Sequence, residues 1–242
     1  MPRRQRLNLV DIPLHVVQRG NNRAACFYAE QDYQFYLHWL VLYAKQYGCA
    51  IHAYVLMTNH VHLLLTPAKP DAVAKLMQSL GRRYVQYINK FYRRSGTLWE
   101  GRYKASLVNA DEYLFVCQRY IEMNPVRADM VAHPRDYAWS SYLINAEGKP
   151  NEWIRPHALY QQLATTPSER QLAYQALFRG ELDEQLIDDI RTATNKGQVL
   201  GGERFKEEIA ERSGKRVTPL VRGRKANNDQ QPINGEQTGF GF

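Results

Sequence analysis

The sequence IHAYVLMTNHVHLLLTP, residues 51–67, decides the fold of this chain. It holds two apolar runs separated only by Thr58 and Asn59. Apolar runs of this length around a turn predict strands, here over residues 50–57 and 60–66. Because so short a connection cannot make a parallel crossover, the two strands must form an antiparallel hairpin. We therefore expect a sheet built outward from this hairpin.

Two histidines stand at the start of the second strand of the hairpin. Successive strand residues point to opposite faces, so His60 and His62 share one face while Val61 and Leu63 share the other. Two imidazoles side by side can bind one divalent cation. Histidines on strands are also common as ordinary structural residues, so the pair alone does not establish a metal site.

A second group of polar residues, YIEMNP at 120–125, ends a segment of helical periodicity that starts near Asp111. Tyr120 and Asn124 are four residues apart and lie on one helix face, and Pro125 marks where the helix ends or bends. If that face meets the histidine pair, two ring nitrogens and an amide oxygen can hold a cation beside a tyrosine hydroxyl. The alternative is that Tyr120 packs the helix onto the sheet and Asn124 caps it.

The other periodic segments complete the predicted fold. They are a strand over 14–18, a helix over 31–47 ended by Gly48, a helix over 71–93 and a partly extended segment over 98–108. The order strand, helix, strand, strand, helix, strand, helix is close to the split βαβ arrangement of ferredoxin-like α+β folds. We expect an antiparallel sheet with helices on one face, which leaves the other face free for a ligand.

Five segments in this order carry a family resemblance. They are RGNNR (19–23), YVLMTNHVH (54–62), LWEGRYK (98–104), YIEMNPVR (120–127) and WSSY (139–142). Over residues 8–145 the chain resembles the HUH single-strand nucleases, in which U is a bulky apolar residue. Among them it resembles the REP-associated tyrosine transposases, which use a single tyrosine. Insertion-sequence relatives usually carry glutamine where this chain has Asn124, and the shorter amide matches the REP-associated branch.

The resemblance implies both an activity and the residues that carry it. His60, His62 and Asn124 would hold Mg²⁺ or Mn²⁺, and Tyr120 would attack a DNA phosphate to give a 5′-phosphotyrosine. The implied protein is a metal-dependent single-strand DNA endonuclease and strand transferase that acts on repetitive palindromic hairpins and needs no nucleotide cofactor. The alternative is a non-catalytic regulator that binds hairpin DNA with the same fold, which would be marked by loss of these four residues.

Composition agrees with single-stranded or hairpin DNA as the partner. The net charge is +8 and the pI is about 9.4, and a basic protein attracts polyanions. Aromatic residues interleaved with the basic ones in the second helix could stack on bases, although Tyr84, Tyr87 and Phe91 also fit a core stripe. The candidate DNA-binding residues are Arg19, Arg23, Arg82, Arg83, Arg93, Arg94, Arg102 and Lys104.

We expect three parts along the chain. These are a catalytic domain over 1–147, a helical module over 148–213 that could contact DNA, and a basic disordered tail over 214–242. Because the four chemical residues all precede residue 125, truncation near residue 146 is expected to leave a folded domain that cleaves weakly and binds hairpins less tightly.

Other classes of protein fit the sequence less well. Cys26, Cys49 and Cys117 are odd in number and lack C-x-x-C spacing, so neither a zinc knuckle nor a disulfide framework is indicated. No apolar run approaches the roughly 20 residues that span a bilayer, and no secretory segment follows Met1. We expect a reduced, cytoplasmic protein with no membrane partner, a monomer with a dimer as the alternative. A plasmid relaxase fits less well because relaxases usually carry a third histidine. A metallohydrolase fits less well because such enzymes usually have several carboxylates beside their histidines.

Overall fold

The computed structural model describes Leu7 and residues 9–217. The strands are β1 (Leu14–Arg19), β2 (Cys49–Met57), β3 (His60–Pro67), β4 (Lys104–Val108) and β5 (Val199–Leu200). The helices are α1 (Glu30–Tyr47), α2 (Ala72–Phe91), α3 (Ala110–Glu122), α4 (Asn124–Arg127), α5 (Tyr142–Glu147), α6 (Ala158–Gln161), α7 (Pro167–Ala176), α8 (Glu184–Lys196) and α9 (Glu203–Ser213). The predicted disordered tail lies outside the described residues from residue 218 onward.

In the described part of the chain, five strands form one mixed sheet in the order β2-β3-β1-β4-β5. The predicted hairpin is confirmed, because β2 and β3 are antiparallel with Met57 opposite His60. β1 lies antiparallel between β3 and β4. The ferredoxin-like α+β class is therefore confirmed. The sheet is mixed rather than wholly antiparallel because β5 returns from the C-terminal region and runs parallel to β4.

Helices cover both faces of the sheet, and the expectation of helices on one face was wrong. α1 and α2 pack on one face, where Leu40 and Leu80 lie in a core with Leu63. α3 and α8 pack on the other face, where Ile190 lies in a core with Val55. The physical reason lies in β2, which is apolar at nearly every position. Such a continuous run is typical of a strand that is buried on both sides.

The region after residue 148 adds more than the predicted helices. Its strand β5 joins the sheet, and α8 buries Ile187 and Ile190 in the same core as Tyr120. α8 ends at Gly197, whose φ of 62° is the left-handed conformation that commonly terminates helices. This region therefore shares a hydrophobic core with the sheet and with α3.

The three cysteines lie in the hydrophobic cores. Cys26, Cys49 and Cys117 are buried and form no disulfide. Burial raises the pKa of Cys49 to about 12, so this thiol stays protonated and packs as a small apolar side chain. Among the helices of the described residues, none is long and apolar enough to cross a membrane.

Glu122 is a fully buried carboxylate that joins three helices. It ends α3 and accepts hydrogen bonds from Ser141 Oγ at 2.6 Å, Asn145 Nδ2 at 2.8 Å and the Tyr174 hydroxyl at 2.9 Å. Removal from water raises the pKa of Glu122 to about 7, although the three donors act in the opposite direction. The helix that carries Tyr120 is thereby tied to α5 and α7.

The raised pKa of Glu122 predicts a pH-dependent contribution to stability. The carboxyl favours the folded state most below its ordinary pKa of 4.5, and this contribution is lost as the pH rises through about 7. Glu122→Gln cannot titrate. We therefore expect the free energy of unfolding of the wild type, minus that of the variant, to fall by about 3 kcal/mol over this pH range. Chemical denaturation at several pH values measures the difference, in which the titration of other groups cancels. A constant difference would contradict the prediction.

Candidate functional site

The four residues that the sequence analysis assigned to chemistry line one cavity of about 290 Å³. His60 and His62 come from β3, Tyr120 comes from α3, and Asn124 begins α4. β1 and α8 supply other parts of the wall. The structure therefore brings together two motifs that are far apart in the sequence.

The pairing of β1 with its neighbours places polar side chains on the floor of this cavity. Val17 lies opposite both His62 and Lys104, and Arg19 lies opposite His60. Residues opposite each other in a ladder point to the same side of the sheet. The floor therefore collects histidines from β1 and β3 and the Arg19 side chain from β1, and the predicted shared face of His60 and His62 is confirmed.

His15, which the sequence analysis did not single out, also lines this cavity. Its Nε2 is 2.8 Å from Nδ1 of His62, and its Nδ1 is 2.9 Å from Oγ1 of Thr194. Burial lowers the pKa of His15 to about 3, so its ring is neutral at pH 7, with one donor and one acceptor. Strand alternation places His15 on the face of Val17, but only the strand pairing shows that it meets His62.

The histidine pair is neutral at pH 7. Burial and then the charge of Arg19 lower the pKa of His60 to about 4, and burial lowers the pKa of His62 well below its ordinary value. Asn59 Oδ1, 2.6 Å away, accepts from Nδ1 of His60, which leaves the Nε2 lone pair of that ring free. Neither Nε2 has a hydrogen-bond partner among the described residues. The two ring centroids are 5.0 Å apart.

Asn124 performs the capping role and also keeps an oxygen free. Its Nδ2 lies 2.8 Å from the Tyr120 carbonyl oxygen and 3.4 Å from that of Ile121. Because both partners are acceptors, the amide NH₂ must face them. The side-chain Oδ1 then points away from the helix end and has no partner among the described residues. The two roles considered from the sequence, a cap and a ligand, are therefore compatible.

Tyr120 is held firmly, but its hydroxyl is not engaged. The residue is 5% exposed, and its ring meets the rings of His15 and His62 edge to face, at centroid distances of 5.7 Å. No hydrogen bond to the hydroxyl occurs within the described residues. The tyrosine thus packs its helix onto the sheet, as the structural alternative held, and also presents a free hydroxyl to the cavity.

Arg127 is a second residue of the cavity that the sequence analysis missed. Its guanidinium carbon lies 4.2 Å from the ring centroid of Tyr120, within the range of a cation–π contact. Its Nε and Nη1 are buried and have no hydrogen-bond partner within the part of the chain that the structure describes. An arginine whose donors are unpaired beside a cavity is suited to a phosphate oxygen. The four-residue α4, which contains Pro125 and begins after the break at Met123, brings Arg127 back over the tyrosine.

The donors at this site fit a divalent cation. In the described residues, no group of three or more His, Cys, Asp or Glu side chains is placed to hold a metal ion. A cation in this cavity would therefore depend on Asn124 as the third ligand beside His60 and His62. Neutral imidazoles with an amide oxygen form a mixed nitrogen and oxygen set, which suits Mn²⁺ somewhat better than Mg²⁺.

The candidate DNA-binding residues divide into two groups. Arg19 lies at the cavity, and Arg102 and Lys104 lie at a larger groove of about 450 Å³ beside it. The two spaces share a wall from α8, where Lys104 Nζ donates to Asn195 Oδ1 at 3.0 Å. The second group does not line the cavity and consists of Arg23, Arg82, Arg83, Arg93 and Arg94.

Two arginines of the second group are held by aromatic neighbours. The guanidinium carbon of Arg83 lies 4.1 Å from a ring centroid of Trp39, and Arg94 donates to the Tyr28 hydroxyl. Of the aromatic residues on α2, Tyr84 is fully buried and belongs to the core stripe, whereas Phe91 is 56% exposed. The core interpretation is therefore correct for Tyr84.

The chain is similar to known transposases. Residues 8–124 match the model of a family described as IS200-like transposases. The structure of a REP-associated tyrosine transposase bound to a REP hairpin aligns with a TM-score of 0.50 and 19% identity, over 65% of this chain and 96% of that chain. A candidate transposase from Deinococcus radiodurans R1 aligns with a TM-score of 0.36 and 26% identity, over 50% and 96% of the two chains. No curated protein matches the chain.

Proposed function

Because residues 8–124 belong to the IS200-like transposase family, we propose that the protein is a metal-dependent single-strand DNA endonuclease and strand transferase. The observation that carries the proposal is the shared cavity. Tyr120, whose hydroxyl has no hydrogen-bond partner among the described residues, lines the same cavity as His60, His62 and Asn124. A free nucleophile beside groups able to stabilise negative charge is the arrangement that attack on a phosphate requires.

In the proposed reaction, the Tyr120 oxygen attacks the phosphorus of a DNA phosphodiester. A tyrosine–phosphorus bond forms and the bond from phosphorus to the 3′-oxygen breaks. The products are a 5′-phosphotyrosine and a strand ending in a 3′-hydroxyl, which takes up the proton that the phenol loses. A phenolate leaves more readily than a sugar alkoxide, so an incoming 3′-hydroxyl can reverse the link without an energy-rich cofactor.

The side chains of the cavity have separate tasks in this reaction. His60, His62 and Asn124 would hold Mg²⁺ or Mn²⁺, which supplies positive charge to a phosphate oxygen when it is bound. Arg127 lies over the ring of Tyr120 and can donate to a second phosphate oxygen through its unpaired nitrogens. Because the positively charged guanidinium of Arg127 already lies beside Tyr120, it would also orient the phosphate before the attack.

Burial of the nucleophile supports an unpaired strand as the substrate. Tyr120 is 5% exposed at the wall of a cavity of about 290 Å³, which a single backbone can enter more easily than a stacked duplex. Arg102 and Lys104 line the adjoining groove and could neutralise phosphates on either side of the cut. The REP-associated transposase of similar fold is bound to a REP hairpin. We therefore propose repetitive palindromic hairpins with single-stranded flanks as the substrate here.

A cleavage assay with end-labelled hairpins tests the proposal. Oligonucleotides that carry a palindrome from the source genome and single-stranded flanks are labelled at the 5′ or the 3′ end and incubated with Mn²⁺ or with a chelator. We expect cleavage with Mn²⁺ only. On a denaturing gel, the 3′-labelled fragment should remain attached to the protein, and the 5′-labelled fragment should be released with a free 3′-hydroxyl.

Histidine variants provide the internal control of this assay. His62→Ala is expected to lose cleavage, whereas His38→Ala, an exposed histidine on α1 outside the cavity, is expected to cleave like the wild type. Hairpin binding without cleavage or adduct under all conditions would instead support the non-catalytic regulator. Attachment of the 5′-labelled fragment would contradict the proposed polarity of the link.

A further inference from the structure

We propose that His15 and Thr194 are positioning residues that hold the ring of His62 in the orientation and tautomer needed to bind a cation. The inference rests on the proposed function, because it takes His62 as a metal ligand. It goes further by assigning a role to two residues outside the ligand set. One of them, Thr194, belongs to α8 in the C-terminal region.

The structural basis is a chain of hydrogen bonds at the cavity. Nδ1 of His62 lies 2.8 Å from Nε2 of His15, and Nδ1 of His15 lies 2.9 Å from Oγ1 of Thr194. That hydroxyl lies 3.0 Å from Oγ of Ser106. All four side chains are between 1% and 4% exposed. Because water cannot replace these partners, the chain of contacts determines how each ring is held.

The chain is consistent with only one tautomer of a metal-binding His62. A ring that offers the Nε2 lone pair to a cation carries its proton on Nδ1, and this proton is donated to Nε2 of His15. Because Nε2 of His15 accepts this proton, the ring proton of His15 lies on Nδ1 and is donated to Oγ1 of Thr194. The Thr194 hydroxyl also shares a hydrogen bond with Oγ of Ser106, in which either oxygen can donate. In this arrangement every ring N–H has an acceptor, so the Thr194 oxygen on α8 supports the tautomer of His62 that leaves Nε2 free.

The same contacts exclude His15 as a ligand in this arrangement. Both of its ring nitrogens are engaged in hydrogen bonds, so no lone pair remains for a cation. A third histidine therefore lies next to the pair without joining it. Its near-parallel ring, 5.1 Å from that of His62 at an angle of 13°, also limits rotation of the ligand ring. His15 thus acts through His62 and not on the substrate.

The β1–β4 ladder and helix α8 place Ser106 and Thr194 next to His15. His15 and Ser106 are directly opposite each other in the β1–β4 ladder, so they share a face by strand pairing alone. Thr194 reaches them because α8 is anchored by its buried residues Ile190 and Ala193. The metal site is therefore complete only when α8 is packed on the sheet.

The tautomer can be measured without any metal. In full-length protein with ¹⁵N-labelled histidine, the ring nitrogen shifts of His62 are expected to show the proton on Nδ1. Thr194→Val removes the hydroxyl but keeps the shape of the side chain, and it should shift the population towards a proton on Nε2. Thr194→Ser keeps the hydroxyl and is the matched control. A wild-type His62 with its proton on Nε2 would overturn the proposal whatever the variants show.

Calorimetric titration with Mn²⁺ supplies a second readout. Removing a residue that orients a metal ligand typically weakens affinity roughly 10- to 100-fold. We expect a loss in this range for His15→Leu, a loss of roughly threefold to tenfold for Thr194→Val, and a change below about twofold for Thr194→Ser. If Thr194→Val binds Mn²⁺ as tightly as the wild type, this inference alone fails. If the wild type itself binds no Mn²⁺, the proposed function and the inference both fail.

Discussion

Replacement of Tyr120 by phenylalanine is expected to abolish the covalent adduct between the protein and DNA while leaving hairpin affinity within about threefold of the wild type. The variant removes only the hydroxyl oxygen, which has no hydrogen bond among the described residues. It keeps the ring that contacts His15, His62 and Arg127. Loss of the nucleophile without loss of packing should therefore separate chemistry from binding.

Tyr113→Phe is the matched control for this experiment. Tyr113 lies on the same helix, α3, but does not line the cavity. Its variant should form the adduct at the wild-type rate. The adduct is followed on a denaturing gel and hairpin affinity by fluorescence anisotropy. An adduct that persists in Tyr120→Phe would show that another residue is the nucleophile, and a large loss of affinity would indicate a mainly structural tyrosine.

Truncation after Glu147 is expected to prevent stable folding. The lost segment contains β5, the buried residues Ile187 and Ile190 of α8, and the Tyr174 hydroxyl that pairs with Glu122. Full burial of one such aliphatic side chain contributes about 1.5–3 kcal/mol, and the total stability of a domain is only about 5–15 kcal/mol. The truncation removes several such side chains and also a hydrogen-bond donor to the buried Glu122 carboxylate. The free energy lost should therefore exceed the stability of the remaining chain.

A chain that ends at residue 217 is the control for the truncation. It keeps every element from β1 to α9 and removes only residues 218–242. Circular dichroism during heating is expected to show a cooperative transition for this chain and none for the chain that ends at Glu147. A cooperative transition in the shorter chain would mean that its first 147 residues fold independently, as the sequence had suggested.

The elements that could be predicted from sequence are those that depend on short spacings. The hairpin follows from two apolar runs and a two-residue turn, and the shared face of His60 and His62 follows from strand alternation. The common face of Tyr120 and Asn124 follows from helical spacing. Each of these statements concerns residues within a few positions of one another, where backbone geometry alone decides the outcome.

The parts that could not be predicted depend on long-range packing. His15 meets His62 only because β1 pairs with β3 in one register, and Thr194 joins them through a helix far along the chain. Arg127 belongs to the segment YIEMNPVR, but its place above Tyr120 depends on the break between α3 and α4 at Met123. The coverage of both sheet faces did leave a signal, the unbroken apolar run of β2, which predicts burial on two sides.

The late position of Thr194 has a consequence for the protein during its synthesis. When a ribosome has translated Asn124, the histidine pair, the tyrosine and the amide have all been made, but α8 has not. Translation adds about 5–20 residues per second, so the remaining stretch up to Thr194 takes several seconds more. A nascent chain in that interval, or a fragment from an interrupted message, lacks the helix that completes the support of His62. Nascent or incomplete copies would thus cleave DNA poorly. Efficient cleavage would be confined to chains that have been translated through α8.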